Sequence, residues 1–285
     1  MKVIGVDMGA TNLKVARVNR NQLEDTRYVP VHRDMAADEL LEGLYHSIGA
    51  LITPDCMGIG IGVPTVVDPE TGTVYDVQNI PSWKAIPLRR LVENRFQLPV
   101  AVNNDANCFA IGEKVFGRAK EISNFAGITV GTGLGMGIVI NNNLYNGILS
   151  GAGEIGMLPY KDDIVESYAG SFFFTRFYQS NPRLLHEQAM AGSAEAREAF
   201  RQFGIHLGEA LKMVLYMLAP EAVILGGSIC KAYDYFRESM LQQVQTFAYP
   251  DQIKNLIIEV STLQEPGILG AAALCYGQDV NQLNQ

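Results

Sequence analysis

Asp7-Met-Gly-Ala-Thr11 is echoed by Gly131-Thr-Gly-Leu-Gly-Met-Gly137, and this pair decides the fold. Each stretch follows a short apolar run, Val3-Ile-Gly-Val6 in one case and Phe125-Ala-Gly-Ile-Thr-Val130 in the other. Each leads into a second run, Leu13-Lys-Val-Ala-Arg-Val18 or Ile138-Val-Ile140, and then into an asparagine-rich turn, Asn19-Arg-Asn21 or Asn141-Asn-Asn143. Gly9 and Gly131 lie 122 residues apart, as do Val18 and Ile140, and Asn19 and Asn141. Repetition at one offset marks a supersecondary unit used twice, and it predicts two lobes of one kind. A glycine turn lets backbone N–H groups converge on an anion with no side chain in the way. Thr11, Thr129 and Thr132 add hydroxyls, and Asp7 is placed to hold a phosphate-bound cation through water. A plain hairpin whose glycines serve only the turn explains either stretch alone; the pair favours phosphate binding.

The bulk properties narrow the classes. A chain of 285 residues with 48% hydrophobic and 18% charged residues has enough apolar content for a full core, in one large domain or two ordinary ones. Net charge −8 and a pI near 5.1 argue against a nucleic-acid backbone partner, and no basic run is present. With a strand beginning at residue 3, no helix-turn-helix segment and no signal peptide are expected ahead of it. The apolar stretches are too short and too broken to span a bilayer, so a cytoplasmic protein is expected. Cys56, Cys108, Cys230 and Cys275 are scattered, with no C-x-x-C pair, and read as buried free thiols.

Residues 3–8, 12–19 and 26–32 read as three successive strands. A helix from Asp38 to about Leu51 follows, from the helical spacing of Leu40, Leu41, Leu44, Ile48 and Leu51. Met57 to Val63 is a buried strand stopped by Pro64. Three strands, a helix and a strand begin a ribonuclease-H-like α/β lobe. A loop-rich segment carrying Trp83 leads to a helix over 87–97 and a strand over 99–102. That strand runs into Asn103-Asn-Asp-Ala-Asn107, and helical spacing resumes to Gly117. The first lobe spans 1–117 and the second 118–265, with the small-residue helix after Pro266 packing back on the first. In the second lobe, 147–156 is too glycine-rich for a stable helix. Residues 164–178 and 194–218 are helical, and Ala222-Val-Ile-Leu225 is a strand leading to Gly226-Gly227. Gly204 and Gly208 leave room for another backbone. Short hinges and a cleft between the lobes are expected.

Asp105 stands where a buried strand ends and a helix begins, a frequent ligand position in open α/β sheets. Asn103, Asn104 and Asn107 around it would orient a polyhydroxy ligand without competing charge, leaving Asp105 as a general base. Helix capping explains one such residue but not four in five. Glu154 lies among Gly151, Gly153 and Gly156; Glu166 begins a helix, where it would also complement the dipole. Gly226-Gly227 fits a flat ring passing close to backbone, or simply a tight turn. His32, His46, His186 and His206 show no metal or triad spacing.

Seven segments, in order, resemble the ROK (repressor, open reading frame, kinase) family: Val6 to Thr11, Gly62-Val-Pro64 with Asp68, Asn79 to Trp83, Asn103 to Asn107, Gly131 to Gly135, Gly151 to Gly156 and Leu225 to Ser228. The resemblance implies sugar kinases of the actin/hexokinase-like fold, two lobes around a central cleft. It implies ATP with its phosphates at 7–12 (Asp7, Gly9, Thr11, Asn12) and at Gly131, Thr132 and Gly133, and adenosine near Gly226 and Gly227. It also implies Mg²⁺ bridging the phosphates with Asp7 beside it, and Asp105 accepting the proton of a sugar hydroxyl, usually the 6-OH. Asn79, Asn104, Glu154 and Glu166 would hold the other hydroxyls, and a homodimer is expected by analogy. The chain departs from the family pattern: Met157 follows Gly156 where a zinc-binding, sugar-contacting His is usual, and 158–165 lacks the usual cysteines. Thr65 replaces a usual Gly and Asn12 a usual Lys. A zinc-free hexose kinase of glucokinase type is expected, with a non-catalytic sugar-sensing regulator as the alternative and no nucleic-acid or membrane partner. A dinucleotide oxidoreductase is disfavoured because the Gly131 turn leads into a strand rather than a helix.

Overall fold

The computed structural model describes residues 2–9, 12–32, 34–77 and 81–276. Strands β1 (Lys2–Met8) and β2 (Asn12–Asn19) pair antiparallel in one register from Lys2↔Asn19 to Met8↔Leu13. β3 (Gln22–Pro30) continues the meander, with one register shift between Arg17 and Val18. It starts at Gln22 rather than residue 26. Leu23, Thr26 and Val29 are partly buried and the rest of this edge strand is exposed, a three-residue spacing that hides the start. After α1 (Ala37–Leu51), β4 (Cys56–Val63) runs parallel to β1. All of β4 except Met57 is buried, as a strand covered on both faces requires. The small ladder of β5 (Val74–Tyr75) and β6 (Ala85–Ile86) and helix α2 (Leu88–Phe96) lead to β7 (Val100–Asn104), parallel to β4, and then to α3 (Asp105–Val115). The sheet order is β3-β2-β1-β4-β7.

The second sheet repeats the plan. β8 (Phe125–Val130), β9 (Leu134–Ile140) and β10 (Asn143–Leu144) form its meander. A hairpin of β11 (Pro159–Tyr160) and β12 (Asp163–Ile164) follows, then helices α4 (Glu166–Ala169), α5 (Ser171–Tyr178), α6 (Pro182–Met190) and α7 (Ala194–Leu218). β13 (Ala222–Gly226) runs parallel to β8 and, beyond α8 (Tyr233–Val244) and α9 (Pro250–Ile253), to β14 (Ile257–Val260). The order is β10-β9-β8-β13-β14. Moved on by 122 residues, the bounds of β1 and β2 fall within one residue of those of β8 and β9.

The chain divides into two compact units. One holds Met1–Glu121, Gly137–Ala152 and Thr262–Gln285; the other holds Ile122–Met136 and Gly153–Ser261. The division passes through β9 after Met136, so the first unit takes a segment, 137–152, beyond the expected boundary at 117. The cause is local: a Cβ on Gly137 would lie 2.4 Å from the Ala106 carbonyl oxygen of α3.

Within the first unit, α10 (Pro266–Ala273) packs on β1, β4 and α3. A Cβ on Gly60 would lie 1.8 Å from the Ala271 carbonyl oxygen, and one on Gly5 2.5 Å from that of Ile268. Only glycine admits the helix so close. In the second unit, Gly204 and Gly208 bring α7 onto α8: their Cβ atoms would meet the carbonyl oxygens of Phe236 at 2.4 Å and Met240 at 2.7 Å. The helix expected over 164–178 is broken at Gly170, whose backbone is extended (φ −121°, ψ −173°). A Cβ there would lie 2.9 Å from the Glu166 carbonyl oxygen. Cys56, Cys108, Cys230 and Cys275 are free thiols. No described helix is long and apolar enough to cross a membrane.

Candidate active site

In the first unit the site grows from the junction of β7 and α3. Asn104 is the helix N-cap: its Oδ1 accepts the Ala106 N–H at 2.9 Å, and its Nδ2 donates to the Thr65 carbonyl at 3.3 Å. Asp105 Oδ1 accepts the same Ala106 N–H at 2.8 Å, and the Asp105 side chain is exposed. The asparagines around it do not face outward together, as the sequence suggested. Asn103 and Asn107 are buried and bond to one another, Asn107 Nδ2 to Asn103 Oδ1 at 3.0 Å, and Asn103 Nδ2 donates to Asn146 Oδ1 at 2.8 Å. Asn107 sits two residues beyond Asp105 on α3, about 200° around the helix, so the two point oppositely. One cap, one exposed carboxylate and two internal amides make up the motif.

Asp7, at the end of β1, faces Lys14 across the hairpin. Its carboxylate lies against the first turn of α10, where a Cβ on Gly267 would fall 2.5 Å from Oδ2. Burial raises the Asp7 carboxyl above its ordinary range, with Lys14 pulling it down and Glu265 pushing it up. Lys14 Nζ is bound to Glu265 Oε2 at 2.7 Å. The Gly9 N–H donates to the Asn12 carbonyl at 2.9 Å, closing the turn, and Asn12 is exposed. Thr11 and Asn79 lie outside the described residues.

In the second unit, the Gly131 N–H donates to the Gly133 carbonyl at 3.0 Å. Ser171 holds the same turn from outside: its N–H donates to the Gly131 carbonyl at 2.9 Å and its Oγ to that of Thr132 at 3.1 Å. Glu166 Oε2 accepts the Leu134 N–H at 2.9 Å, so this carboxylate braces the glycine turn. No described residue accepts from the N–H groups of Thr132 and Gly133. A glycine turn with two such N–H groups is of the kind that receives anion oxygens. Gly227 has φ +94°, and a Cβ there would lie 2.4 Å from the Val130 carbonyl oxygen of β8, so the chain's own backbone is one reason for glycine. Gly226 ends β13, buried. Glu154 is exposed ahead of a short 3-10 turn, and Met157 is 59% exposed.

The sequence from residue 3 to residue 278 matches the model of the ROK family. The chain belongs to the ROK family. It is 28% identical to a xylose repressor of Caldicellulosiruptor bescii, over 95% of this chain and 77% of that protein. It is also 28% identical to a glucokinase of Halalkalibacterium halodurans, over 97% of this chain and 95% of that one. Among solved structures it resembles a ROK family glucokinase from Streptomyces griseus in complex with glucose and AMPPNP. Identity there is 25%, TM-score 0.82, with 96% of this chain and 99% of that chain covered. The fold is thus the two-lobed actin/hexokinase-like α/β architecture of the ROK sugar kinases. Among the described residues no group of three His, Cys, Asp or Glu side chains could hold a metal ion. A Mg²⁺ beside Asp7 would therefore take most of its oxygens from phosphate and water, as this ion ordinarily does with nucleotides.

Three participants escaped the sequence reading. Lys14 was legible in principle, since the hairpin register sets it opposite Asp7. Ser171 and Asn146 carry no local signal; only the tertiary fold brings them to the Gly131 turn and to Asn103.

Proposed function

We propose that this ROK protein is an ATP-dependent hexose kinase of glucokinase type, with the sugar 6-hydroxyl as acceptor. The observation that carries the reading is the exposed Asp105 carboxylate at the carboxyl end of β7, fastened by α3 and backed by amides turned inward. The family's glucokinases and a beta-glucoside kinase at 27% identity support the reaction class.

In this reading the sugar hydroxyl donates its proton to Asp105 as its oxygen attacks the γ-phosphorus in line; the bond to the β-phosphate oxygen breaks and ADP leaves. Asn79, Asn104, Glu154 and Glu166 hold the remaining hydroxyls. The N–H groups of Thr132 and Gly133 take phosphate oxygens, with Gly9, Thr11 and Asn12 contributing from the first hairpin and Gly226–Gly227 beside adenosine. Asp7 would hold a phosphate-bound Mg²⁺ through water, and such an ion would supply charge neutralisation on the phosphates. Positioning supplies most of the rate.

The protein is read as zinc-free. In place of a metal loop, residues 158–165 form the β11–β12 hairpin, held by Arg176 Nη2 on Asp162 at 2.7 Å, by Arg176 Nη1 on Asp163 at 3.1 Å and by the Tyr168 hydroxyl on Asp162. A cytoplasmic homodimer with a small sugar as its ligand, and neither nucleic acid nor membrane as partner, completes the proposal. The xylose repressors among its relatives favour a second reading, a regulator that binds sugar without turnover.

A coupled ADP-release screen across a hexose panel separates the two. The kinase reading expects turnover on at least one hexose, and an Asp105→Asn variant that binds that sugar but turns over at least 10³-fold more slowly. Sugar binding by the unaltered protein with no turnover on the panel supports the regulator, and retained turnover in Asp105→Asn removes Asp105 from the mechanism.

A further inference from the structure

The segment from Asn146 to Ala152 is a closed turn, the Ala152 N–H donating to the Asn146 carbonyl at 3.0 Å. Its middle is strained. Gly147 has φ +65°, and the non-glycine residues Leu149 and Ser150 have φ 53° and 55°. Left-handed backbone costs such residues about 1 kcal/mol or more each and persists only where the surroundings enforce it. Here the enforcement is visible. The Val67 N–H donates to the Leu149 carbonyl at 3.0 Å. Asn146 Oδ1 accepts Asn103 Nδ2 at 2.8 Å and Asn107 Nδ2 at 3.5 Å, and Asn107 Nδ2 also lies 3.5 Å from the Ser150 carbonyl.

Followed inward, these bonds reach the carboxylate the mechanism uses. Asn103, whose amide nitrogen is taken up by Asn146, turns its Oδ1 to the Asn104 N–H at 2.8 Å. Asn104 Oδ1 accepts the Ala106 N–H, which Asp105 Oδ1 accepts as well. The amide of Asn103 is thus oriented by one partner on the turn and by two on α3 and its start. If Asn146 is removed, a 94% buried Asn103 keeps its acceptor bonds but loses the acceptor that fixes its plane.

We propose that Asn146 is a positioning residue for Asp105: through Asn103 it fixes the backbone of Asn104 and so the direction of the Asp105 side chain. The effect on turnover rests on the kinase reading above; the mechanical coupling does not. Asn146 uses only its side-chain oxygen on Asn103 and Asn107, so aspartate keeps the clamp and alanine or serine cannot reach it. Misplacing a reacting group by about 1 Å costs up to about 100-fold in rate. A loosened amide should cost about tenfold.

The test compares full-length wild type with Asn146→Ala, Asn146→Ser and Asn146→Asp, by steady-state kinetics and by hydrogen exchange without substrate. Asn146→Ala is expected to lose about tenfold in kcat with the sugar KM within about threefold. The amides of 104–106 should exchange faster, and Asn146→Asp should recover most of the kcat and the protection. Asn146→Ser should resemble alanine and stands in for it if that variant does not fold. Wild-type kcat in both Asn146→Ala and Asn146→Ser, or a loss in Asn146→Asp equal to that in Asn146→Ala, overturns the proposal. If wild type phosphorylates no hexose, the kinase reading fails, and exchange at 104–106 alone decides the coupling: unchanged protection in Asn146→Ala overturns it.

Discussion

Replacing Gly133 by alanine should dislodge Glu166, and the loss can be worked from the structure. The backbone at Gly133 is not in the left-handed region, so the added methyl meets no conformational barrier. Its obstacle is the Glu166 carboxylate, with Oε2 at 2.3 Å and Cδ at 2.9 Å from the new Cβ. That oxygen accepts the Leu134 N–H at 2.9 Å, so the clash and the bond cannot coexist. A hydrogen bond to a charged group contributes about 1.5–3 kcal/mol. Gly133→Ala should therefore cost about 2 kcal/mol, Glu166→Ala about the same, and the double variant no more than Glu166→Ala alone, because the three atoms nearest the methyl all belong to the Glu166 carboxylate. The cycle should return a coupling of about 2 kcal/mol, within the range seen for residues in contact. Urea unfolding of the full chain supplies the free energies. At about 2–4 °C per kcal/mol, each single variant should melt about 4–8 °C lower. Losses that add in the double variant, or a Glu166→Ala as stable as wild type, would refute the bracing of the turn by this carboxylate.

Acid should weaken the second unit through His206, which is 9% exposed and bonded through Nδ1 to the Tyr160 hydroxyl at 3.1 Å. Burial, with help from Lys161 and against Glu209, lowers its pKa to about 4 from 6.5. The unfolded chain therefore takes up the proton first, and stability present above pH 6.5 is lost as pH falls toward 4. Allowing for screening by solvent at the ring edge, about 1–2 kcal/mol should vanish over that window. A His206→Gln variant with the same acid loss by melting curves would exclude His206 as its source. Metal analysis of the purified full chain should find zinc far below one equivalent; one equivalent per chain contradicts the zinc-free reading.

Legibility from sequence was uneven for physical reasons. The two hairpins were readable because their offset repeats to within one residue, and a hairpin's register follows from its turn. α6 escaped notice because only Leu185 and Ala189 are buried along it. α8 buries Phe236, Met240 and Val244 at four-residue spacing, a thin stripe among polar residues. β14 is a short edge strand with alternating exposure. At the candidate site, the place of Asp105 between strand and helix was legible. The facing of Asn103 and Asn107 was not, since side-chain periodicity changes from 2 to 3.6 between residues 104 and 105. The bracing role of Glu166 depends on a partner 32 residues away, at Leu134.

The seating of α10 on β1 and β4 sets the order in which the molecule can be completed during synthesis. β1 is made well before residues 266–273, which cover that part of its unit. The unit made of 122–136 and 153–261 has all its pieces earlier. The second unit can therefore close while the faces of β1 and β4 that α10 covers still await it.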